Sequence, residues 1–321
     1  MTDQSKDTPF YYSQSGDTEE DKKLLEPLKY IVQCTEKHRC TKLTSVFNHW
    51  LQISHNQLQQ IDDIIRIVYN TCILYDDVQD NSILRDGIPV THNIYGLSGT
   101  ISATNYAQFI AVEKALHLHP EAVKILTEHI LEFNRGQGMD MYWKNNLMCP
   151  TENDYKMMAE RKAGWLIKLM ANLMKLFSKC EIDLSLLLNL MGFYYQIHND
   201  YTNLCVCKDP NDKSFCDDLT EGKFSFPIIH ALKYDDDREI INILKQRTTD
   251  TKIKCYCVSL LEKFGSLKYT RDTLKELNKK IRIEIDRLGG NEKLVKMLNE
   301  YENEVPYTST EAESDVSVTK L

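Results

Sequence analysis

Ile61-Asp62-Asp63-Ile64-Ile65-Arg66-Ile67-Val68-Tyr69-Asn70-Thr71-Cys72-Ile73-Leu74-Tyr75-Asp76-Asp77-Val78-Gln79-Asp80 sets the architecture of this chain. Ile61, Ile64, Ile65, Val68 and Cys72 recur at the spacing of one helix face and lead into Leu74. Leu186, Leu187, Leu190, Phe193, Tyr194 and Ile197 repeat the pattern. Breaks are expected at Gly87-Ile88-Pro89, His119-Pro120, Cys149-Pro150, Asp209-Pro210 and Gly289-Gly290. With 12 Gly and 8 Pro in 321 residues, long helices are easier to build than many short strands. The chain reads as all-α, with one domain over residues 21–305 between polar, disordered tails at 1–20 and 306–321.

Hydrophobic residues make up 42% of the chain and charged residues 27%, an ordinary globular balance. A net charge of -8 argues against general affinity for nucleic acid or anionic membranes. The first residues lack the apolar core of a secretory signal, and no stretch approaches the ~18 apolar residues of a membrane span. Ten cysteines without a signal point to free thiols in the cytoplasm. The Cys205/Cys207 and Cys255/Cys257 pairs lack zinc-ligand spacing.

Asp76 and Asp80, at i and i+4, share one helix face and repel each other unless a cation lies between them. Mg²⁺ prefers such a site, with one or two carboxylates completed by substrate phosphates. A solvated acidic helix end is the plainer reading of Asp76-Asp77-Val78-Gln79-Asp80 alone. Arg85 closes the same segment, however, and Gln196, Asn199 and Asp200 supply further polar candidates on a later helix. Lys213 and Lys223 follow as point charges for phosphate oxygens.

From about residue 22 to 296 the chain resembles animal geranylgeranyl diphosphate synthases of the trans-prenyltransferase superfamily. The resemblance rests on Asp76-Asp77-Val78-Gln79-Asp80 with Arg85, Phe47-Asn48-His49-Trp50, Arg135-Gly136-Gln137-Gly138-Met139-Asp140, Cys149-Pro150-Thr151-Glu152 and the block from Lys213 to Pro227. It implies the isoprenoid synthase fold, a dimeric bundle of long helices around a cavity, and three Mg²⁺ on a prenyl diphosphate. By position it makes Asp76, Asp80, Asn199 and Asp200 metal ligands and Asp77 part of the catalytic cluster. Arg85, Lys162, Gln196, Lys213 and Lys223 become diphosphate contacts, and Lys37 a contact of the second substrate. Ala163 replaces a family Thr, and Asn199 replaces the first of two aspartates. Asn199 and Asn203, with Cys207 beyond, only partly echo the Asn/Ser/Glu metal motif of terpene cyclases.

The departures gather where the family holds isopentenyl diphosphate. Lys37 persists, but Cys40 and Asp86 stand at Arg positions and Tyr69 at a His position. Three hydrogen bonds to a charged group, at about 1.5–3 kcal/mol each, put the loss at roughly 4–9 kcal/mol. Asp86 adds a like charge, worth about 4 kcal/mol at 4 Å and an effective dielectric of 20. Arg39 recovers part of one contact at most.

An ionised prenyl diphosphate without this acceptor loses a proton, rearranges, cyclises or meets water. That outcome is a terpene synthase, and insect-type terpene synthases resemble prenyltransferases in this way. The alternatives are a divergent geranylgeranyl diphosphate synthase and a non-catalytic partner subunit. Aromatic candidates for stabilising the cation are Tyr69, Tyr75, Trp165, Phe193, Tyr194 and Tyr195, against a plain core role for most of them. Thr71 and Cys72 are small where the family blocks long tails, so this wall admits C15 and C20 substrates, while Tyr69, Tyr75 and Trp165 as bulk on other sides lean the reading to geranyl diphosphate.

Overall fold

The computed structural model describes residues 11–35, 40–85, 87–205 and 215–305. The described residues are helical almost throughout, as the apolar spacing requires. Where one domain over 21–305 is expected, the described residues fall into two compact units, within 1–139 plus 157–192 and within 140–156 plus 193–321. A chain of this length lies at the limit where one hydrophobic core stops growing.

The helices before residue 119 are α1 (Thr18–Leu24), α2 (Glu26–Thr35), α3 (Cys40–Leu51), α4 (His55–Gln79) and α5 (Thr91–Leu118). Between α4 and α5 lies an antiparallel pair, β1 (Leu84–Arg85) and β2 (Ile88–Pro89). Then follow α6 (Ala122–Asn146), α7 (Glu152–Lys162), α8 (Trp165–Lys175) and α9 (Ser185–Cys205). The remaining helices are α10 (Asp217–Glu221), α11 (Phe226–Ala231), α12 (Glu239–Gln246), α13 (Thr251–Lys263), α14 (Ser266–Arg287) and α15 (Glu292–Asn303).

In the first unit α4 is the central element, packed by α2, α3, α5 and α8. Its start is fixed by a capping box, in which Ser54 Oγ accepts from the Gln57 N–H and Gln57 Oε1 accepts from the Ser54 N–H at 3.1 Å. Ile61, Ile64, Ile65, Val68, Cys72 and Leu74 are all buried, as their spacing requires. Asn81, in the left-handed region at φ 54°, turns the chain out of the helix just after the aspartates. Gly164 and Gly192 let α9 cross the start of α8, because a Cβ on Gly192 would stand 2.6 Å from the Gly164 Cα. In the second unit α11 and α13 pack on α14, and α12 packs on α10 and α13.

Part of the expected N-terminal tail is built into the first unit. Tyr11 and Tyr12 are buried, and Asp17 caps α1 by accepting from the N–H groups of Glu19 and Glu20. Ser13 N donates to Asp21 at 2.9 Å, and Ser13 Oγ to Glu113 at 2.8 Å. Two apolar rings and a ring of carboxylate acceptors anchor this otherwise polar segment. Of the expected breaks, those at 119–120, 149–150 and 289–290 separate helices, and the one at 87–89 supplies Gly87 between the strands and then β2 itself. The break at 209–210 lies outside the described residues. Among the described residues, no helix is long and apolar enough to cross a membrane.

Candidate active site

Asp76 and Asp77 occupy the last turn of α4, and Asp80 caps it with its N–H on the Asp76 carbonyl at 2.8 Å. Helix C-termini carry partial negative charge, so each carboxylate there costs roughly 0.3–1 kcal/mol unless a cation offsets it. The last turn of α4 contains no basic residue. Compensation must come from elsewhere in the unit or from a bound cation.

Two cations of the same unit reach Asp76. Arg85 Nη2 lies 3.5 Å from its Oδ2, and Lys162 Nζ 3.6 Å from its Oδ1. Gln137 Nε2 donates to the same Oδ1 at 2.9 Å. Asp76 keeps 29% of its side chain exposed. It therefore combines an organised environment with an open face.

Asp77 behaves differently. It is buried, and Arg85 binds one of its oxygens twice, through Nε at 2.9 Å and Nη2 at 2.6 Å. Burial raises the Asp77 pKa and Arg85 pulls it back. Burial opposes the Arg85 charge, yet Asp77 and then Asp76 hold its pKa above the ordinary guanidinium value. Asp77, expected in the catalytic cluster, binds Arg85, and Asp76 and Asp80 flank it at the end of α4. These hard oxygen donors fit Mg²⁺, which needs only one or two carboxylates beside phosphate oxygens. Among the described residues, no group of three or more His, Cys, Asp or Glu side chains lies close enough together to hold a metal ion by itself.

Lys162 reaches Asp76 because α6 comes very close to the end of α7. A Cβ on Gly136 would lie 2.7 Å from the Lys162 backbone nitrogen and 2.9 Å from the Arg161 Cβ. Gly136 and Gln137 lie in the quoted Arg135-to-Asp140 motif, whose individual roles the sequence does not reveal.

In the second unit Asp200 is fully buried with all four acceptor positions filled. Oδ1 accepts from Gln196 Nε2 at 3.0 Å and Lys223 Nζ at 2.9 Å. Oδ2 accepts from Tyr155 Oη at 2.5 Å and the Phe226 N–H at 2.9 Å. Lys223 also lies 3.3 Å from Asp218, whose pKa burial pushes up to about 7 against the pull of Lys223. Asp200, expected as a metal ligand, accepts from these four donors, and Gln196 and Lys223, expected at the diphosphate, are two of them. Asn199 is the exposed member of the pair, and Asn203 accepts from the Asp218 N–H at 3.1 Å. Sequence reading missed Tyr155 and Asp218, which carry no local signal.

Lys37, Arg39, Asp86, Cys207 and Lys213 lie outside the described residues, as does the side chain of Cys40. Thr71 and Cys72 are both buried in α4. Tyr69 is half-buried within electrostatic reach of Arg85. Trp165 is a core residue against Phe133 at 5.1 Å, and Tyr75 donates to Asn105 of α5. Tyr194 stacks on His198 and Tyr195 meets Tyr301 edge-on, while Lys156 Nζ already sits 5.8 Å above the Phe193 ring. Five of the six aromatic candidates thus have ring or hydrogen-bond partners, and Tyr69 lies beside Arg85.

The polyprenyl synthetase family matches residues 21–261. A terpene synthase of Matsumurasca onukii is 51% identical over 291 residues, covering 90% of this chain and 96% of the relative. A geranylgeranyl pyrophosphate synthase of Mucor circinelloides f. lusitanicus is 40% identical over 277 residues, 86% of this chain and 91% of the relative. One of Dictyostelium discoideum is 38% identical over 285 residues, 88% and 94% respectively. With its helical fold and its aspartate cluster, the chain belongs to the polyprenyl synthetase family of enzymes.

Proposed function

We propose that this protein is a Mg²⁺-dependent terpene synthase that ionises geranyl diphosphate and releases diphosphate with a small volatile terpene. The observation that carries the reading is the 51% identity, over nearly the full length of both chains, to a protein named a terpene synthase. The residues support it through an asymmetry. The carboxylates Asp76 and Asp80 are present with Arg85 and Lys162 close to Asp76, whereas Cys40, Tyr69 and Asp86 replace the cations expected to hold a second diphosphate.

Asp76 and Asp80 would hold Mg²⁺ through their carboxylate oxygens, and the ion would supply Lewis-acid chemistry to the leaving diphosphate. Lys162 and Arg85 face the negative charge that grows as the carbon–oxygen bond breaks and its electron pair leaves with the diphosphate. Tyr69 offers a π face to the allylic cation. The cation then gives up a proton, with the departed diphosphate as base, or takes up water. With the Asp200 acceptors filled, the second cluster offers a metal only the Asn199 amide, so we centre the metal set on Asp76 and Asp80.

We also propose a cytoplasmic homodimer. Its support is a set of exposed apolar residues on α5 beyond the kink at Gly96: Leu97, Ile101, Phe109 and Leu116, with Phe109 exposed to 73%. Buried apolar area of this kind is what stable homodimers share.

The second reading, chain elongation with isopentenyl diphosphate, draws on 38–40% identity to geranylgeranyl pyrophosphate synthases. Purified protein with Mg²⁺ and C10, C15 or C20 diphosphate, with and without isopentenyl diphosphate, separates the two by mass spectrometry of all products. Hydrocarbon or alcohol of unchanged carbon number supports the first reading. Longer diphosphates formed only with the acceptor support the second.

A further inference from the structure

Gln137 is 2% exposed in α6, and its two ends are treated unequally. Nε2 donates to Asp76 Oδ1 at 2.9 Å, while Oε1 is buried with no hydrogen-bond partner. An unpaired buried carbonyl is destabilising, and a methionine of similar shape avoids it. Packing alone therefore does not favour glutamine here. The neighbouring Gly136 brings the backbone of Lys162 against α6, and Lys162 Nζ approaches the same Asp76 oxygen at 3.6 Å. One turn of α6 thus organises two of the donors around Asp76.

A neutral amide suits this place. It fixes the carboxylate by one lone pair without adding a further charge beside Arg85 and Lys162. A glutamate would repel Asp76, and an asparagine is one methylene short.

We propose that Gln137 is a positioning residue for metal capture, holding the Asp76 carboxylate in the orientation that receives a divalent cation. The inference rests on the reading of Asp76 as a metal ligand. It concerns a residue that touches the ligand rather than the metal or the substrate.

The test measures Mn²⁺ binding to the full-length protein by electron paramagnetic resonance, with inorganic pyrophosphate present, alongside thermal melting. In Gln137→Met the Mn²⁺ dissociation constant rises about tenfold or more, the size expected for a lost hydrogen bond to a charged group, while the melting temperature stays level or rises. The Mg²⁺ concentration for half-maximal turnover rises in parallel. Gln137→Ala gives the same metal defect if methionine misfolds. Unchanged Mn²⁺ affinity, or a loss of affinity that only tracks a lower melting temperature, overturns the inference. Asp76→Asn separates the two levels. If it binds Mn²⁺ as the unaltered protein does, the metal-site reading fails and the positioning role falls with it. If Asp76→Asn loses binding and Gln137→Met does not, only the positioning role fails.

Discussion

Asp200→Asn tests whether the buried acid of the second unit is a structural hub or a metal ligand. The substitution keeps shape but removes the charge that pairs with Lys223 at 2.9 Å, leaving that ammonium its longer contact with Asp218 at 3.3 Å. It also turns an amide NH₂ toward two donors, whichever way the group is oriented. Tyr155 can rotate its hydroxyl to accept, but the Phe226 N–H cannot, so the favoured orientation still strands a donor. Removing one partner of a buried ion pair costs about 3–5 kcal/mol. A stranded donor adds about 1–3 kcal/mol. With relaxation, about 5 kcal/mol is a reasonable figure, a large share of the roughly 5–15 kcal/mol that holds a domain together. At roughly 2 °C per kcal/mol for a large domain, the melting temperature falls by about ten degrees. Thermal melting in metal-free buffer, followed by circular dichroism, reads the effect. A melting temperature within about 2 °C of the unaltered protein, with loss of Mn²⁺–pyrophosphate binding, would refute the hub and make Asp200 a ligand after all.

Gly192→Ala drives a Cβ to 2.6 Å from the Gly164 backbone and destabilises by about 1–3 kcal/mol or more, whereas Gly138→Ala meets no atom within 4 Å and is neutral or stabilising; denaturant titration compares them. Burial pushes the Asp62 pKa up to about 6 from an unfolded value near 3.8, against the pull of Thr44. The native state therefore binds more protons than the unfolded chain between about pH 4 and 6, and stability falls as pH rises through that window. Asp62→Asn flattens this slope, which denaturation curves at pH 4 and pH 7 measure. Phe109→Glu together with Leu116→Glu places two charges among the exposed apolar residues of α5 and shifts the proposed dimer to monomer in sedimentation velocity.

The apolar spacing of residues 61–74 foretold α4 because one buried face demands one period, and that face is what the unit packs around. His119-Pro120 and Gly289-Gly290 marked true helix ends for local reasons: proline fixes φ, and both of these glycines occupy positive φ. Asp76 in the last turn of α4 and Asp80 at its cap follow from the same period, without knowledge of the fold. What stayed hidden depends on distant chain. Asp200 meets Tyr155, Lys223 and Phe226 across separations of 45, 23 and 26 residues, so position alone cannot distinguish a ligand from an internal acceptor. Arg85 was legible as a cation beside the cluster, but its bidentate hold on Asp77 appears only once the β1–β2 turn folds it back. Tyr11 and Tyr12 lie in a polar segment whose burial depends on partners near residue 113.

Diphosphate release in the absence of any acceptor tests the central claim most directly. Purified protein, Mg²⁺ and geranyl diphosphate are incubated without isopentenyl diphosphate, and inorganic pyrophosphate is counted against C10 product. The account predicts one pyrophosphate per terpene formed, over many turnovers, and none from Asp76→Ala. Turnover that starts only when isopentenyl diphosphate is added, with a C15 or C20 diphosphate as product, would contradict it.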